Sequence, residues 1–127
     1  MHMKKIINYL VIVFFASCDP VYDYTYEVTN FTYSEIEVIM KTSFRVSLES
    51  KVEIIKINWD ETKVVLVTSH GVEPSEGPYF KDVTWDLDSF VVMKNNIVLS
   101  NKDYLDNSSW TYNNGFYRTT VTNAEFE

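Results

Sequence analysis

The chain offers one histidine for acid–base chemistry beyond its first few residues. Hydrolysis near neutral pH needs a general base, usually a histidine, beside a nucleophile. His70 follows Ser69, but side chains of consecutive residues point apart in an extended chain, so these two cannot form a catalytic pair. Two glycines and two prolines between residues 69 and 79 predict a solvated loop around His70. We therefore expect no catalytic residue and no enzymatic activity.

Three aspartates are close together in the stretch "KDVTWDLD". If this piece is extended, Asp82, Asp86 and Asp88 lie on one side of the chain and could hold a calcium ion through their carboxylates. The stretch lacks the glycine and the clustered spacing of calcium-binding loops. A solvated strand face is the simpler interpretation, and we expect neither a metal site nor a cofactor.

Three tryptophans could bind a ligand by stacking. Flat aromatic rings suit the apolar faces of sugar rings, although in a domain of this size Trp59, Trp85 and Trp110 are more often core residues. Trp110 stands two residues before Tyr112 and ahead of an Asn-Asn-Gly turn, which predicts that it is the most exposed of the three. Trp110, Tyr112 and Trp85 are the candidate stacking residues.

The first residues have the pattern of an export signal. Lys4 and Lys5 precede an apolar stretch from Ile6 to Ala16. As a helix this stretch would span roughly 16 Å, about half of the hydrocarbon core of a bilayer. It is too short for a membrane-spanning helix and fits the core of a signal peptide.

A single cysteine ends this segment. The residues Phe15-Ala16-Ser17-Cys18 resemble a bacterial lipobox, in which the cysteine thiol is alkylated by diacylglycerol and the chain is cut just before it. The resemblance implies a signal peptide over residues 1–17, a lipidated Cys18 and a short tether over 18–20. Cleavage of a plain secretory signal after Cys18, or a buried cysteine in an uncleaved chain, are the alternatives. The residue after the cysteine, Asp19, does not decide which membrane leaflet would hold the lipid anchor.

The charge balance excludes one class of partner. The formal net charge is −7, and removal of Lys4 and Lys5 leaves 9 basic and 18 acidic residues, a net charge of −9. Such a domain repels phosphate backbones, so we expect no nucleic-acid partner. It would attract a basic protein instead.

Alternation of apolar and polar residues predicts strands along the rest of the chain. Residues 21–29 place Tyr22, Tyr24, Tyr26 and Val28 on one face, most simply a core face. A second strand covers 35–41. A third begins at residue 52, where the inward set shifts to Ile55, Ile57 and Trp59 and suggests a β-bulge near Ile54.

Apolar runs and turn-forming residues complete the pattern. The continuous run 64–67 is typical of a central strand covered on both faces, and Asn95-Asn96 predicts a two-residue hairpin. Residues 101–107 are expected to be irregular, before a final strand over 116–122. About seven short strands and no helical periodicity predict an all-β fold: a single antiparallel β-sandwich over 21–127, immunoglobulin-like, after the cleaved lipoprotein signal peptide.

The mature chain resembles the small immunoglobulin-like lipoproteins of unknown function from Gram-negative bacteria. The resemblance rests on the lipobox at Cys18, "YEVTN", "VVMKNNIVLS", Trp110 and "YRTTVTNAEF". It implies a protein anchored to the membrane by diacylglycerol, in the cell envelope and preferentially at the outer membrane, with a non-catalytic binding or structural role. A carbohydrate-binding module of a glycan-uptake system, or an inhibitor or immunity lipoprotein against a basic toxin or lysozyme, are the alternatives. The ligand would be a protein or a glycan.

Overall fold

A computed structural model describes residues 21–49, 51–71 and 79–127 of the chain. The predicted signal peptide, the tether and most of the predicted loop before Tyr79 lie outside these ranges. Eight strands form, together with three short 3₁₀ turns. The strands are β1 Val21–Phe31, β2 Ile36–Thr42, β3 Val52–Ile57, β4 Thr62–Gly71, β5 Leu87–Lys94, β6 Val98–Leu99, β7 Thr111–Asn113 and β8 Phe116–Thr122. No helix in the described part of the chain is long and apolar enough to cross a membrane.

The strands form two four-stranded sheets packed face to face. One sheet has the order β4-β1-β8-β7 and the other β3-β2-β5-β6. Pairing is antiparallel throughout except between β1 and β8, which run parallel. The predicted all-β sandwich is confirmed, with eight strands where about seven were expected. In this sheet β1 lies between β4 and β8, antiparallel to the first and parallel to the second.

The core lies between the sheets and is rich in tyrosine. The alternation in β1 buries Tyr24, Tyr26 and Val28 completely, as predicted from the period of two. Side chains of the other sheet belong to the same buried cluster. They include Ile36, Val38 and Met40 of β2 and Phe90 and Val92 of β5. Tyr26 stacks on Tyr117 of β8, with ring centroids 4.6 Å apart and an angle of 6° between the rings.

Two predictions about individual strands are wrong. The ladder between β2 and β3 runs without a register shift, so there is no bulge near Ile54, and Val52 and Ile54 are exposed. The register shifts instead at Tyr26/Glu27 and at Lys41/Thr42. The run 64–67 is not a central strand, because β4 is at the edge of its sheet, where Val64 and Val67 are about half exposed.

The turns follow their local chemistry. Asn95 and Asn96 both have positive φ, as expected for a tight hairpin. The hairpin loop holds three residues rather than two, since Lys94 pairs with Val98. Asn114 and Gly115 also have positive φ and turn the chain from β7 into β8.

We name the two ends of the sandwich proximal and distal, according to the strand ends and turns that lie at each. The proximal end holds the start of β1 and of β5 and the end of β2 and of β4. The distal end holds the β1–β2 turn (residues 32–35), the β3–β4 turn (58–61) and the chain terminus. The eleven residues of β1 separate the two ends by about 33 Å.

Candidate functional site

The predicted stacking residues Trp110 and Tyr112 do not form an exposed platform. Trp110 is 7% exposed, and its indole Nε1 donates a hydrogen bond to the backbone oxygen of Tyr104 at 2.8 Å. It packs edge-on against Tyr26 and Phe90. Tyr112 is half-buried beside Tyr117. The expectation that Trp110 is exposed is therefore wrong, because the sheet that contains β7 turns its face to the core.

A shallow groove of about 460 Å³ runs past Trp110. The two cations that line it already have partners. Arg118 Nε donates to a carboxylate oxygen of Glu27 at 3.0 Å, and Lys102 Nζ donates to Thr119 Oγ1 at 3.1 Å. The groove consequently offers no free charged group and little of the indole ring.

His70 lies in strand β4 rather than in a solvated loop, and its side chain is only 10% exposed. Its Nε2 donates to Oδ1 of Asp86 at 2.6 Å, while the hydroxyl of Tyr26 donates to Oδ2 at 2.6 Å. Asp86 is itself 1% exposed, so the prediction that it lies on a solvated face is wrong. Burial, with the hydrogen bond to Asp86 as a further cause, raises the pKa of Tyr26.

This buried chain of three side chains connects the sheets. Tyr26 and His70 come from one sheet, and Asp86 precedes β5 of the other. Ser69 points to the opposite side of β4, where its hydroxyl donates to Asp23 at 2.6 Å. Ser69 and His70 therefore point apart, as predicted. The arrangement satisfies a buried carboxylate with two strong hydrogen bonds and joins the layers of the sandwich.

The three aspartates of "KDVTWDLD" are not brought together. Asp82 accepts hydrogen bonds from the backbone N–H and the hydroxyl of Thr84, and these bonds lower its pKa. Asp86 faces the core and Asp88 faces solvent. Among the described residues no three histidine, cysteine, aspartate or glutamate side chains form a group that could hold a metal ion.

Trp85 is the predicted stacking residue that does reach the surface, with 41% exposure at the proximal end. The guanidinium carbon of Arg45 lies 4.3 Å from the centroid of its ring, and Lys81 Nζ lies 5.2 Å away. These are cation–π distances. Underneath, His70 meets the indole at 6.3 Å between centroids.

An aromatic pair at the distal end was not predicted. Tyr33 is 74% exposed and Trp59 is 56% exposed, and their ring centroids are 5.4 Å apart at an angle of 44°. The sequence pattern assigned Trp59 to the inward face, but β3 ends at Ile57 and the chain then turns. Both residues stand among turn-forming residues just beyond a strand, and that position was the available signal.

A buried asparagine holds the two turns that carry this pair. The side-chain nitrogen of Asn30, a fully buried residue, donates to the backbone oxygens of Ser34 at 2.7 Å and Ile57 at 3.0 Å. Its side-chain oxygen accepts from the N–H and the hydroxyl of Thr32. Its backbone oxygen accepts from Asp60 N–H at 2.8 Å. One side chain thus connects the β1–β2 turn to the end of β3, which positions Tyr33 against Trp59.

Tyr33 adopts an unfavourable backbone conformation there. Its φ is 63°, a region that bulky residues rarely occupy and that costs roughly 1–2 kcal/mol relative to glycine. Asp60, beside Trp59, has φ 61° and tolerates it better. Strain of this kind persists where surrounding contacts enforce it and concentrates at binding sites.

We define the distal site as Tyr33 and Trp59 together with the exposed carboxylates of Glu35 and Asp60. These groups can bind a ligand through non-covalent contacts. Two tilted aromatic faces offer apolar contact to a flat ligand. Carboxylates in the same two turns can accept hydrogen bonds from hydroxyl groups. This combination suits a sugar ring, which presents an apolar face and a rim of hydroxyls.

The lipobox residues Phe15, Ala16, Ser17 and Cys18 lie outside the described residues, so their role stays a prediction. Comparison with known protein families, with curated proteins and with solved structures finds no match to this chain. The interpretation of the site consequently depends on its own geometry.

Proposed function

We propose that this protein is a lipid-anchored, non-catalytic binding protein of the bacterial cell envelope that takes its ligand at the distal site. One observation carries the proposal: the exposed Tyr33–Trp59 pair lies at the opposite end of the sandwich from Val21, the first residue of β1. A diacylglycerol on Cys18 would hold the proximal end at the membrane. The distal site would then face away from it by about the length of β1, 33 Å.

The proposed ligand is a carbohydrate. Support comes from the two exposed rings, the exposed carboxylates in the same turns and the buried Asn30 that holds both turns. Such a site would be assembled before the ligand arrives, which lowers the entropy cost of binding. A sugar ring stacked on Trp59 would present hydroxyls that can donate hydrogen bonds to carboxylates.

A glycan array with three variants tests the ligand class. Trp59→Ala and Tyr33→Ala should abolish retention of a glycan that the unchanged protein binds, whereas Trp85→Ala should keep it. Trp85 is a matched control because it is also a partly exposed tryptophan, but at the other end. Equal loss in the Trp85 variant, or no retention of any glycan by the unchanged protein, would refute carbohydrate binding at this site.

The anchor has its own test. Cys18→Ala should prevent incorporation of labelled fatty acid and leave the precursor uncut, or release the protein from membranes. Ser17→Ala keeps a small residue before the cysteine and should be processed normally. Unchanged processing and membrane attachment of the Cys18→Ala protein would contradict lipidation.

A basic protein partner is the second candidate. The net charge of −9 after signal removal favours it by long-range attraction. The edge strand β3 also exposes Val52 and Ile54, each 61% accessible, on the outer face of its sheet. An exposed apolar edge is a surface on which another chain can pair. Capture of a cationic enzyme at low salt, lost on Ile54→Lys but not on Trp59→Ala, would favour this candidate over the first.

A further inference from the structure

The proximal end carries an exposed apolar surface that the distal site does not explain. Five side chains form it, which we name the proximal belt. Their exposed fractions run from 41% to 93%, and they come from the segment after β2 and the segment before β5. The members are Phe44, Leu48, Tyr79, Phe80 and Trp85.

Two cations lie on this belt. Arg45 stacks on Phe44 at 4.7 Å and on Trp85 at 4.3 Å. Lys81 Nζ lies 5.4 Å from the ring of Tyr79, in addition to its contact with Trp85. Within the described ranges neither cation forms a salt bridge, although the domain is strongly acidic.

Among the described residues, three acidic groups in or near the belt segments have hydrogen-bond or ion-pair partners of their own. Asp82 is held by Thr84, Glu49 pairs with Lys51 at 2.9 Å, and Asp23 accepts the hydroxyl of Ser69. The belt therefore combines aromatic rings with two cations that have no salt-bridge partner among the described residues. This is the composition of surfaces that lie at a membrane interface, where aromatic rings sit at headgroup level and cations reach lipid phosphates.

The position of the belt points to the same partner. Strand β1 begins at the proximal end, and Cys18 lies three residues before it, a distance of at most about 11 Å along the chain. We infer that the proximal belt rests on the phospholipid surface, with Phe44, Trp85 and Tyr79 among the headgroups and Arg45 and Lys81 against lipid phosphates. This inference rests on the proposed anchor at Cys18. It adds to that anchor a defined orientation of the domain on the membrane.

Depth-dependent quenching of tryptophan fluorescence tests the orientation. The chain from Cys18 to Glu127 contains all eight strands, and its only thiol can be coupled to a maleimide lipid in vesicles whose acyl chains carry bromine. Bromine quenches a tryptophan that lies at the interface. The unchanged protein and the Trp59→Phe protein should be quenched alike, and Trp85→Phe should lose most of the quenching. Equal quenching of the two variants, or none in the unchanged protein, would overturn the inference.

Charge variants give a second, independent measurement. Replacing Arg45 and Lys81 together by glutamate should reduce the quenching of Trp85 in vesicles containing phosphatidylglycerol. The control replaces Lys56 and Lys63, two exposed lysines of β3 and β4, by glutamate and makes the same change in net charge. Quenching that falls equally in both double variants would indicate general repulsion and contradict a specific contact.

Chemical coupling also separates this inference from the proposed function. The maleimide bond forms whether or not cells acylate Cys18, so the quenching reports only how the domain sits when held at that residue. Absence of acylation in cells would refute the anchor, while absence of Trp85 quenching on coupled vesicles would refute the belt.

Discussion

The hydroxyl of Tyr26 donates a hydrogen bond to Oδ2 of Asp86 at 2.6 Å, and both side chains are buried where the two sheets meet. The two residues are sixty positions apart in the chain. Because the acceptor is a carboxylate, this hydrogen bond is one of the stronger kind in proteins. It connects β1, an inner strand of one sheet, to the segment that leads into β5 of the other.

Loss of this hydrogen bond should destabilise the fold. Tyr26→Phe keeps the ring and its stacking on Tyr117 but leaves one oxygen of Asp86 without its donor, which should lower the free energy of unfolding by about 1.5–3 kcal/mol. Urea denaturation measures the change. The control is Tyr33→Phe, which removes an exposed hydroxyl and should change stability by less than about 0.5 kcal/mol. Equal stability of the two variants would show that the buried bond contributes nothing.

Buried tyrosines should make the protein sensitive to strong alkali. Burial raises the pKa of both Tyr26 and Tyr104 above the usual 10.0, so the folded protein keeps protons that the unfolded chain releases near pH 10. Their contribution to stability is therefore complete below pH 10 and falls as the pH rises above it, by up to about 1.4 kcal/mol per pH unit for each group.

Denaturation midpoints between pH 8 and pH 12 test this, together with absorbance of tyrosinate in the folded protein. Tyr104→Phe, which removes one of the two groups, should show a shallower decline. A flat stability profile to pH 12, or ionisation of every tyrosine near pH 10 without unfolding, would contradict the prediction.

Removal of Trp110 should cost much more stability than removal of Trp59. Trp110→Ala deletes a core side chain and should cost about 3–5 kcal/mol. Trp59→Ala removes a ring that is more than half exposed and should cost less than about 1 kcal/mol, while ligand retention is lost. Thermal unfolding of both proteins, compared with the unchanged chain, distinguishes them. A cost at Trp59 as large as at Trp110 would mean that Trp59 is structural.

Asn30 should act as a positioning residue for the distal site. Asn30→Ala leaves the carbonyls of Ser34 and Ile57 without their donor and should lower the free energy of unfolding by about 1–3 kcal/mol. Ligand affinity should fall even though Asn30 is buried and touches no ligand. Thr29→Ala, one residue earlier on the outward face, is the control and should leave affinity unchanged. Normal affinity of the Asn30 variant would refute the positioning role.

Tyr33 should show a conflict between stability and binding. Glycine tolerates a φ of 63°, so Tyr33→Gly should raise the free energy of unfolding by about 1 kcal/mol while ligand retention is lost. Tyr33→Ala keeps the backbone strain and should lose retention without the gain in stability. If glycine and alanine give equal stability, strain at this position is absent.

Much of the fold could be predicted from alternation alone. The tyrosine face of β1 followed from a period of two, which depends only on the backbone of one strand. The positive φ of Asn95, Asn96 and Asn114 likewise followed from the tolerance of asparagine for that conformation. The lipobox around Cys18 is also a purely local pattern, and it stays a prediction about the envelope.

Only the tertiary structure decided which residues are exposed. Val64 to Val67 read as a central strand, but the order of strands in the sheet put β4 at an edge. Trp110 is buried and Trp59 is exposed, although both are tryptophans beside a turn. His70 and Asp86 were predicted to be solvated, yet they meet each other in the interior. Local pattern determines which residues share one face of a strand. Burial and hydrogen-bond partners depend on contacts between residues far apart in sequence, which a local pattern does not encode.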